Sequence, residues 1–341
     1  MASLKMGLQR SSRIVRQLSV VVVSAMPLAT IFYGIALSLG SCASNVSPQP
    51  QSTTSRKQLQ VVTTFIPITD FTKGVAGDRA QVTQLLPTNV GPHDFQAKPE
   101  DAQKLVKADV LVKNGLGVEG FLDELVKNAG NSNLKIIESS KGVQTISTEA
   151  INAGAGAKPD KSKHEEFNPH IWLDPKRAIR QVENIRDGLI AADPSGKEIY
   201  TANAAAYMQR LRELDTETTK MLQPFAGKTF VAFHDFAPYF AQSYNLKANF
   251  LVDVPEDNPS PNDVKRVMNT VKTTNLKTLL AEPQGGEDAF AALAKDLKVR
   301  VSTFDPMETG SPEALQSEYY ITTMRQNVKT MVTAFTGKQG G

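Results

Sequence analysis

Four histidines, His93, His164, His170 and His234, are the only ones in the sequence. His93 stands in G-P-H-D-F, His170 in N-P-H-I-W-L-D-P and His234 in V-A-F-H-D-F, each beside a predicted strand end or helix start. Asp305, in V-S-T-F-D-P, closes the last predicted strand. Ligands of open α/β sheets gather at such strand ends, and neutral imidazole with carboxylate supplies the nitrogen and oxygen donors of a tetrahedral Zn2+ site. The four lie too far apart to form a local Cys-x-x-Cys or His-x-x-x-His motif, so only the fold can bring them together. Taken singly, a histidine is more often a hydrogen-bonded structural residue. Ligating imidazoles usually donate their second N–H. Asp94, Asp235 and Glu282 are candidate acceptors, with solvation or structural pairing as their plain reading.

The elements that would position these residues alternate regularly. Strands are expected at residues 60–65, 81–86, 109–112 and 134–137, with helical patterns around 70–75, 99–107 and 118–128. A second series places strands at 229–233, 248–252, 278–281 and 299–304, with helices near 238–243, 261–273 and 288–295. Such βαβ alternation predicts an α/β fold of two lobes, each a mainly parallel sheet flanked by helices. Between the series, Asp174-Pro175 pairs an N-cap residue with proline at the first helical position. Residues 198–222 then run without Gly or Pro at helical spacing. At 1.5 Å per residue they span about 40 Å, enough for one long linking helix between lobes. The expected divisions are 59–197, 198–222 and 223–338. Residues 153–166 have no periodicity and read as a mobile loop.

Residues 1–41 differ from the rest. Lys5, Arg10, Arg13 and Arg16 precede an uncharged stretch, and no acidic residue occurs before Cys42. This is a secretory signal pattern, although the stretch is long enough to leave an uncleaved membrane anchor as the rival. Cys42 is the sole cysteine, and Leu39-Gly40-Ser41 before it resembles the lipobox at which bacterial lipoproteins are cleaved and acylated. Residues 42–58, rich in Pro, Ser and Gln, then read as a flexible tether. Without the signal, 34 basic residues face 35 acidic ones. The clustered basic face of a nucleic-acid binder is not in evidence.

Two motifs are decoys. G-L-G-V-E-G at 115–120 is a literal G-x-G-x-x-G, yet it follows the third expected strand rather than the first. His164-Glu165 begins like H-E-x-x-H, but position 168 is Asn. With Asp160, Glu165 and Glu166, His164 could form a weak capture site, and a solvated charged loop is the plainer reading.

The motifs G-P-H-D-F, N-P-H-I-W-L-D-P, A-F-H-D-F-A-P-Y-F-A, L-L-A-E-P-Q and T-F-D-P, in this order, resemble the zinc- and manganese-specific solute-binding lipoproteins of metal ABC importers, the cluster A-I family. The likeness runs from about residue 59 to 336. It implies a metal in the interlobe cleft, held by His93 and His170 from the first lobe and His234 and Asp305 from the second. It implies as partners a membrane permease and a lipid anchor at Cys42, on the outer face of the cytoplasmic membrane, for a monomeric protein that is not an enzyme. The family commonly reads D-P-H and H-D-A-F-G-Y where this chain has Gly91-Pro92-His93 and His234-Asp235-Phe236-Ala237-Pro238-Tyr239, which bears on loop shape. Histidine at the third position resembles the zinc side of the family, and nitrogen-rich sites favour Zn2+ over Mn2+. The alternatives are a manganese-specific binding protein, an adhesin or metallochaperone, or a zinc lyase or hydrolase in which Asp305 leaves a coordination position open to water.

Overall fold

The computed structural model describes residues 58–337, apart from 94, 157–165, 255–257, 284 and 286. Residues 1–57, with the expected signal, tether and Cys42, and also Asp94 and His164, lie outside the described residues. Among the described residues no helix is long and apolar enough to cross a membrane.

Two parallel sheets of four strands each carry the fold. The first comprises β1 (Leu59–Thr63), β2 (Ala80–Gln84), β3 (Val110–Lys113) and β4 (Lys135–Glu138), in the order β2-β1-β3-β4. The second comprises β5 (Thr229–Ala232), β6 (Lys247–Phe250), β7 (Thr278–Ala281) and β8 (Arg300–Thr303), in the order β6-β5-β7-β8. The order is the same in both, so each sheet has a switch point beside its first strand, where successive connections leave in opposite directions and open a crevice. Helices α1 (Ile66–Ala76), α2 (Pro99–Val106), α3 (Leu122–Ala129), α4 (Thr148–Ala155) and α5 (Pro175–Ala192) precede the long α6 (Lys197–Leu222). Helices α7 (Pro238–Ser243), α8 (Pro261–Thr274), α9 (Glu287–Leu297) and α10 (Tyr319–Thr336) follow it. The two-lobed α/β fold expected from the alternation is the fold observed.

Helix α6 has 26 residues. Its buried residues Tyr200, Ala204, Tyr207, Met208, Leu211, Leu214, Thr218 and Leu222 form one stripe at helical spacing. Helix α6 packs against α1, α5 and α10. Asp174 caps α5 as expected, its side chain accepting from the Lys176 N–H at 3.1 Å, with Pro175 in the first turn.

Helix α10 was not expected. Its sequence is rich in Thr and other β-branched residues of weak helix propensity, and the burial of Tyr320, Ile321, Met324, Val328 and Met331 on one side overrides that preference. Helix α4 also replaces the start of the loop expected at 153–166. Ser147 caps it by accepting from the Ala150 N–H, and Gly156 ends it at a left-handed φ of 72°. One hydrophobic cluster runs through the first sheet, α6, α10 and one face of the second sheet. The opposite face of the second sheet has its own cluster under α8 and α9. Strand β5 and the residue after it serve both by alternation, Phe230 and Ala232 facing the shared core and Val231 and Phe233 the separate one.

The G-x-G-x-x-G segment is filled from within. Gly115 and Gly117 adopt φ of 89° and 91°. The buried Glu119 carboxylate accepts from the N–H groups of Asn114 (2.7 Å) and Gly115 (2.9 Å) and from the Thr64 hydroxyl (2.8 Å). Those amides, which a dinucleotide phosphate would need, already serve a protein anion.

Candidate metal centre

The site lies in the cleft where the carboxyl ends of the two sheets meet. His93 follows β2, and His170 precedes α5 by a single 3-10 turn. In the second sheet, Ala232 of β5 pairs with Leu280 of β7. Two residues beyond each partner stand His234 and Glu282, so the register alone sets them side by side at the switch point.

His93, His170, His234 and Glu308 each offer a donor atom, and these atoms lie within 4.8 Å of one another. Glu308 Oε1 is 2.8 Å from His170 Nε2, 3.5 Å from His93 Nε2 and 3.7 Å from His234 Nε2. The two buried imidazoles face each other, Nε2 to Nε2, at 3.1 Å. Donors placed at 2.0–2.2 Å around a tetrahedral ion stand about 3.3–3.6 Å apart, so the contacts of 2.8 to 3.7 Å bracket that spacing, and pairs set up to 4.8 Å apart would draw in around one ion. His170, His234 and Glu308 are buried, while His93 is less enclosed. Neither carboxylate oxygen of Glu308 has a hydrogen bond of acceptable geometry, although both are buried. A desolvated carboxylate in that condition needs positive charge beside it, from a protonated imidazole or a bound cation.

Each buried imidazole is fixed by one oxygen. Asn168 Oδ1 accepts the His170 backbone N–H at 3.1 Å and lies 3.0 Å from its Nδ1. Glu282 Oε1 accepts the His234 backbone N–H at 3.1 Å and lies 2.6 Å from its Nδ1. In both, Nδ1 carries the proton and Nε2 is turned toward the cluster. Of the candidate acceptors named from sequence, Glu282 has this role. Asp235 instead accepts from Asn168 Nδ2 at its backbone oxygen (2.9 Å) and its carboxylate (3.1 Å).

Charge follows from burial and neighbours. Burial pushes His170 down to about 4 against the pull of Glu308. Burial acts the same way on His234, but Glu282 and Glu308 outweigh it and hold the ring well above the usual histidine range. Burial would raise Glu308, yet His234 above all, with His170 and His93, keeps it ionised well below the usual carboxylate range.

Asp305, expected as the fourth ligand, stands outside this group, whose fourth donor atom comes from Glu308. The Asp305 carboxylate accepts from the Met307 N–H at 2.7 Å and from the Tyr319 hydroxyl at 3.2 Å. Its main chain exchanges two bonds with the Asn327 amide, at 2.9 and 2.7 Å. Those bonds shape a turn in which Met307 takes φ of 63°, and the turn delivers the Glu308 carboxylate into the cleft. Both acids are visible in D-P-M-E-T-G after β8, but the left-handed Met307 that selects between them is not. Burial raises Asp305 to about 6, with Met307 and Tyr319 opposing.

First-lobe contacts hold that turn in place. Trp172 Nε1–H donates to the Pro306 carbonyl at 2.8 Å, the Tyr320 hydroxyl to the Trp172 carbonyl at 2.6 Å, and the Gly310 N–H to the Thr88 carbonyl at 2.6 Å.

Comparison with known proteins relates the chain to metal-binding proteins. The zinc-binding protein AdcA of Streptococcus pyogenes is 30% identical over 304 residues, which cover 85% of this chain and 59% of AdcA, so the chain spans about three fifths of that relative. The manganese-binding lipoprotein MntA of Halalkalibacterium halodurans is 30% identical over 81% of this chain and 88% of its own length. Among solved structures, the Zn(II)-bound ZnuA-like domain of Streptococcus pneumoniae AdcA superposes with a TM-score of 0.69 at 29% identity, covering 81% of this chain and 98% of that domain. The family described as zinc-uptake complex component A, periplasmic, matches residues 61–334, and the chain belongs to that family.

Proposed function

We propose that this protein captures one Zn2+ outside the cytoplasm and delivers it to the membrane permease of an ABC importer. His93, His170, His234 and Glu308 are its ligands. The observation that carries the reading is the convergence of three imidazole nitrogens and one buried carboxylate oxygen within 4.8 Å of one another. Four protein donors close the coordination sphere and leave no position for a reactive water, which separates a carrier from a zinc hydrolase. Three nitrogens against one carboxylate favour Zn2+ over the harder Mn2+, which is bound less tightly by most sites of this kind. Similarity to MntA keeps manganese as the second reading. Acylation at Cys42 would hold the protein on the outer face of the cytoplasmic membrane, in keeping with the lipobox-like Leu39-Gly40-Ser41. Its release from the membrane fraction by Cys42→Ser would test that anchor.

The metal assignment is tested by elemental analysis and competition titration of the purified protein. One Zn2+ per chain, bound more tightly than Mn2+, is the expected result. A preference for Mn2+, or equimolar Zn2+ retained after His93→Ala and His234→Ala together, overturns it.

A further inference from the structure

We infer that Asn168 is a positioning residue of the metal site, setting the ring of His170 and tying it across the cleft to the segment that carries His234; this rests on the reading of the four side chains as ligands. The orientation of the Asn168 amide is forced by chemistry. A backbone N–H can only donate, so the atom facing the His170 N–H at 3.1 Å is the amide oxygen. That same oxygen lies 3.0 Å from His170 Nδ1, which must therefore carry the proton, leaving the Nε2 lone pair directed at the ion site.

With the oxygen so placed, the amide nitrogen points the other way, donating to the Asp235 carbonyl at 2.9 Å and its carboxylate at 3.1 Å. Asp235 is the residue after His234, and it belongs to the other lobe. The Asn168 main chain adds a second crossing, since its carbonyl accepts from the hydroxyl of Tyr239 in α7 at 2.6 Å. Only 1% of Asn168 is exposed, so no water can replace these partners without opening the cleft. Glu282 positions His234 from within its own lobe, whereas Asn168 positions His170 while holding the neighbour of His234. It thereby fixes the distance between the two buried ligands as well as the tautomer of one.

The test separates the two halves of the role. Zn2+ affinity is measured by chelator competition, metal-free stability by thermal unfolding, and the His170 ring proton by nitrogen-15 correlation spectra. Asn168→Ala is expected to weaken Zn2+ about 10- to 100-fold, the range for losing such a support, and to abolish the Nδ1–H signature of His170. Asn168→Asp keeps the oxygen but loses the donor and sets two carboxylates together, so it is expected to keep the ring signature and still lose affinity. Adding Asp235→Asn to Asn168→Asp exchanges donor and acceptor across the cleft and is expected to restore most of that loss. Affinity unchanged in Asn168→Ala, or no recovery in the exchanged pair, overturns the inference. Should Asn168→Ala fail to fold, the Asn168→Asp variant and the exchanged pair decide it. A wild-type protein that binds no equimolar Zn2+ would instead bring down the site itself, whatever the Asn168 variants do.

Discussion

The two buried histidines of the cluster are held by the same device and end with opposite charge. In the first lobe one oxygen of a neutral amide, Asn168, takes both the backbone and ring protons of His170. In the second, one oxygen of a carboxylate, Glu282, does so for His234. Burial disfavours the imidazolium in both. With a neutral acceptor that effect prevails and His170 falls to about 4. With Glu282 and Glu308 beside it, His234 keeps its proton well above the usual range. One half of the site thus presents a neutral imidazole, while the other holds a positive charge. Geometry is shared between the lobes, and the acceptor's charge decides which half must lose a proton.

The largest expected effect comes from the carboxylate both halves face. A four-ligand Zn2+ site of about 10–16 kcal/mol divides into about 3 kcal/mol per ligand, on the order of 100-fold in affinity. Glu308→Ala is expected to lose that much in chelator competition, and the loss should exceed that of any variant that merely supports a ligand. Undiminished affinity would mean that the cluster is not the binding site.

A smaller effect probes the contrast itself. Because His234 alone of the two buried rings is protonated near neutrality, Zn2+ binding at pH 7 is expected to release about one proton per ion, counted by calorimetry in buffers of different ionisation enthalpy. Affinity should then fall about tenfold for each pH unit lowered through this range. Glu282→Gln replaces the charged acceptor by a neutral one, making the second lobe resemble the first. Proton release should drop toward zero, with about a tenfold loss of affinity from the weakened support. Equal proton release in both proteins would erase the distinction between the lobes. Metal-free stability gives the matching signs. His170 binds fewer protons folded than unfolded, so it costs stability as pH falls from about 6.5 toward 4. His234 binds more, and its stabilisation fades as pH rises through its elevated range.

How far the sequence reveals this pairing depends on the kind of signal. Strand positions were legible because alternation and βαβ spacing are local, whereas the β5–β7 pairing that seats His234 beside Glu282 is set by the fold. The long helix was legible from its apolar stripe and the absence of Gly and Pro. Helix α10 was not, because its Thr-rich sequence has weak intrinsic helix preference and only packing against α6 and α1 makes it helical. Glu308 was hidden for a related reason. The choice between two acids three residues apart is made by a left-handed conformation at Met307 that L-residues rarely adopt, stabilised by bonds from Trp172 and Asn327 outside the segment. Asn168 stands in N-P-H, two residues before His170, but its partner Asp235 is brought to it by the fold alone.

The smallest expected effect concerns the acid that sequence reasoning preferred. Asp305→Asn keeps the size of the side chain and an oxygen for the Met307 N–H, and its new amide can donate to the Tyr319 hydroxyl oxygen, so the turn should survive. As a support for Glu308 rather than a ligand, Asp305 should change Zn2+ affinity by less than about threefold on this substitution, against about 100-fold for a lost ligand. Its own titration offers a second reading that affinity does not. Burial raises the folded Asp305 to about 6, so between the unfolded value near 3.9 and that point the folded state binds more protons and metal-free stability declines as pH rises. Asparagine cannot titrate, so this decline should flatten in thermal unfolding followed from pH 4 to 7, with little change above. A 100-fold loss of affinity in Asp305→Asn, with Glu308→Ala nearly silent, would transfer the fourth ligand back to Asp305 and require the 305–308 turn to rearrange around the ion.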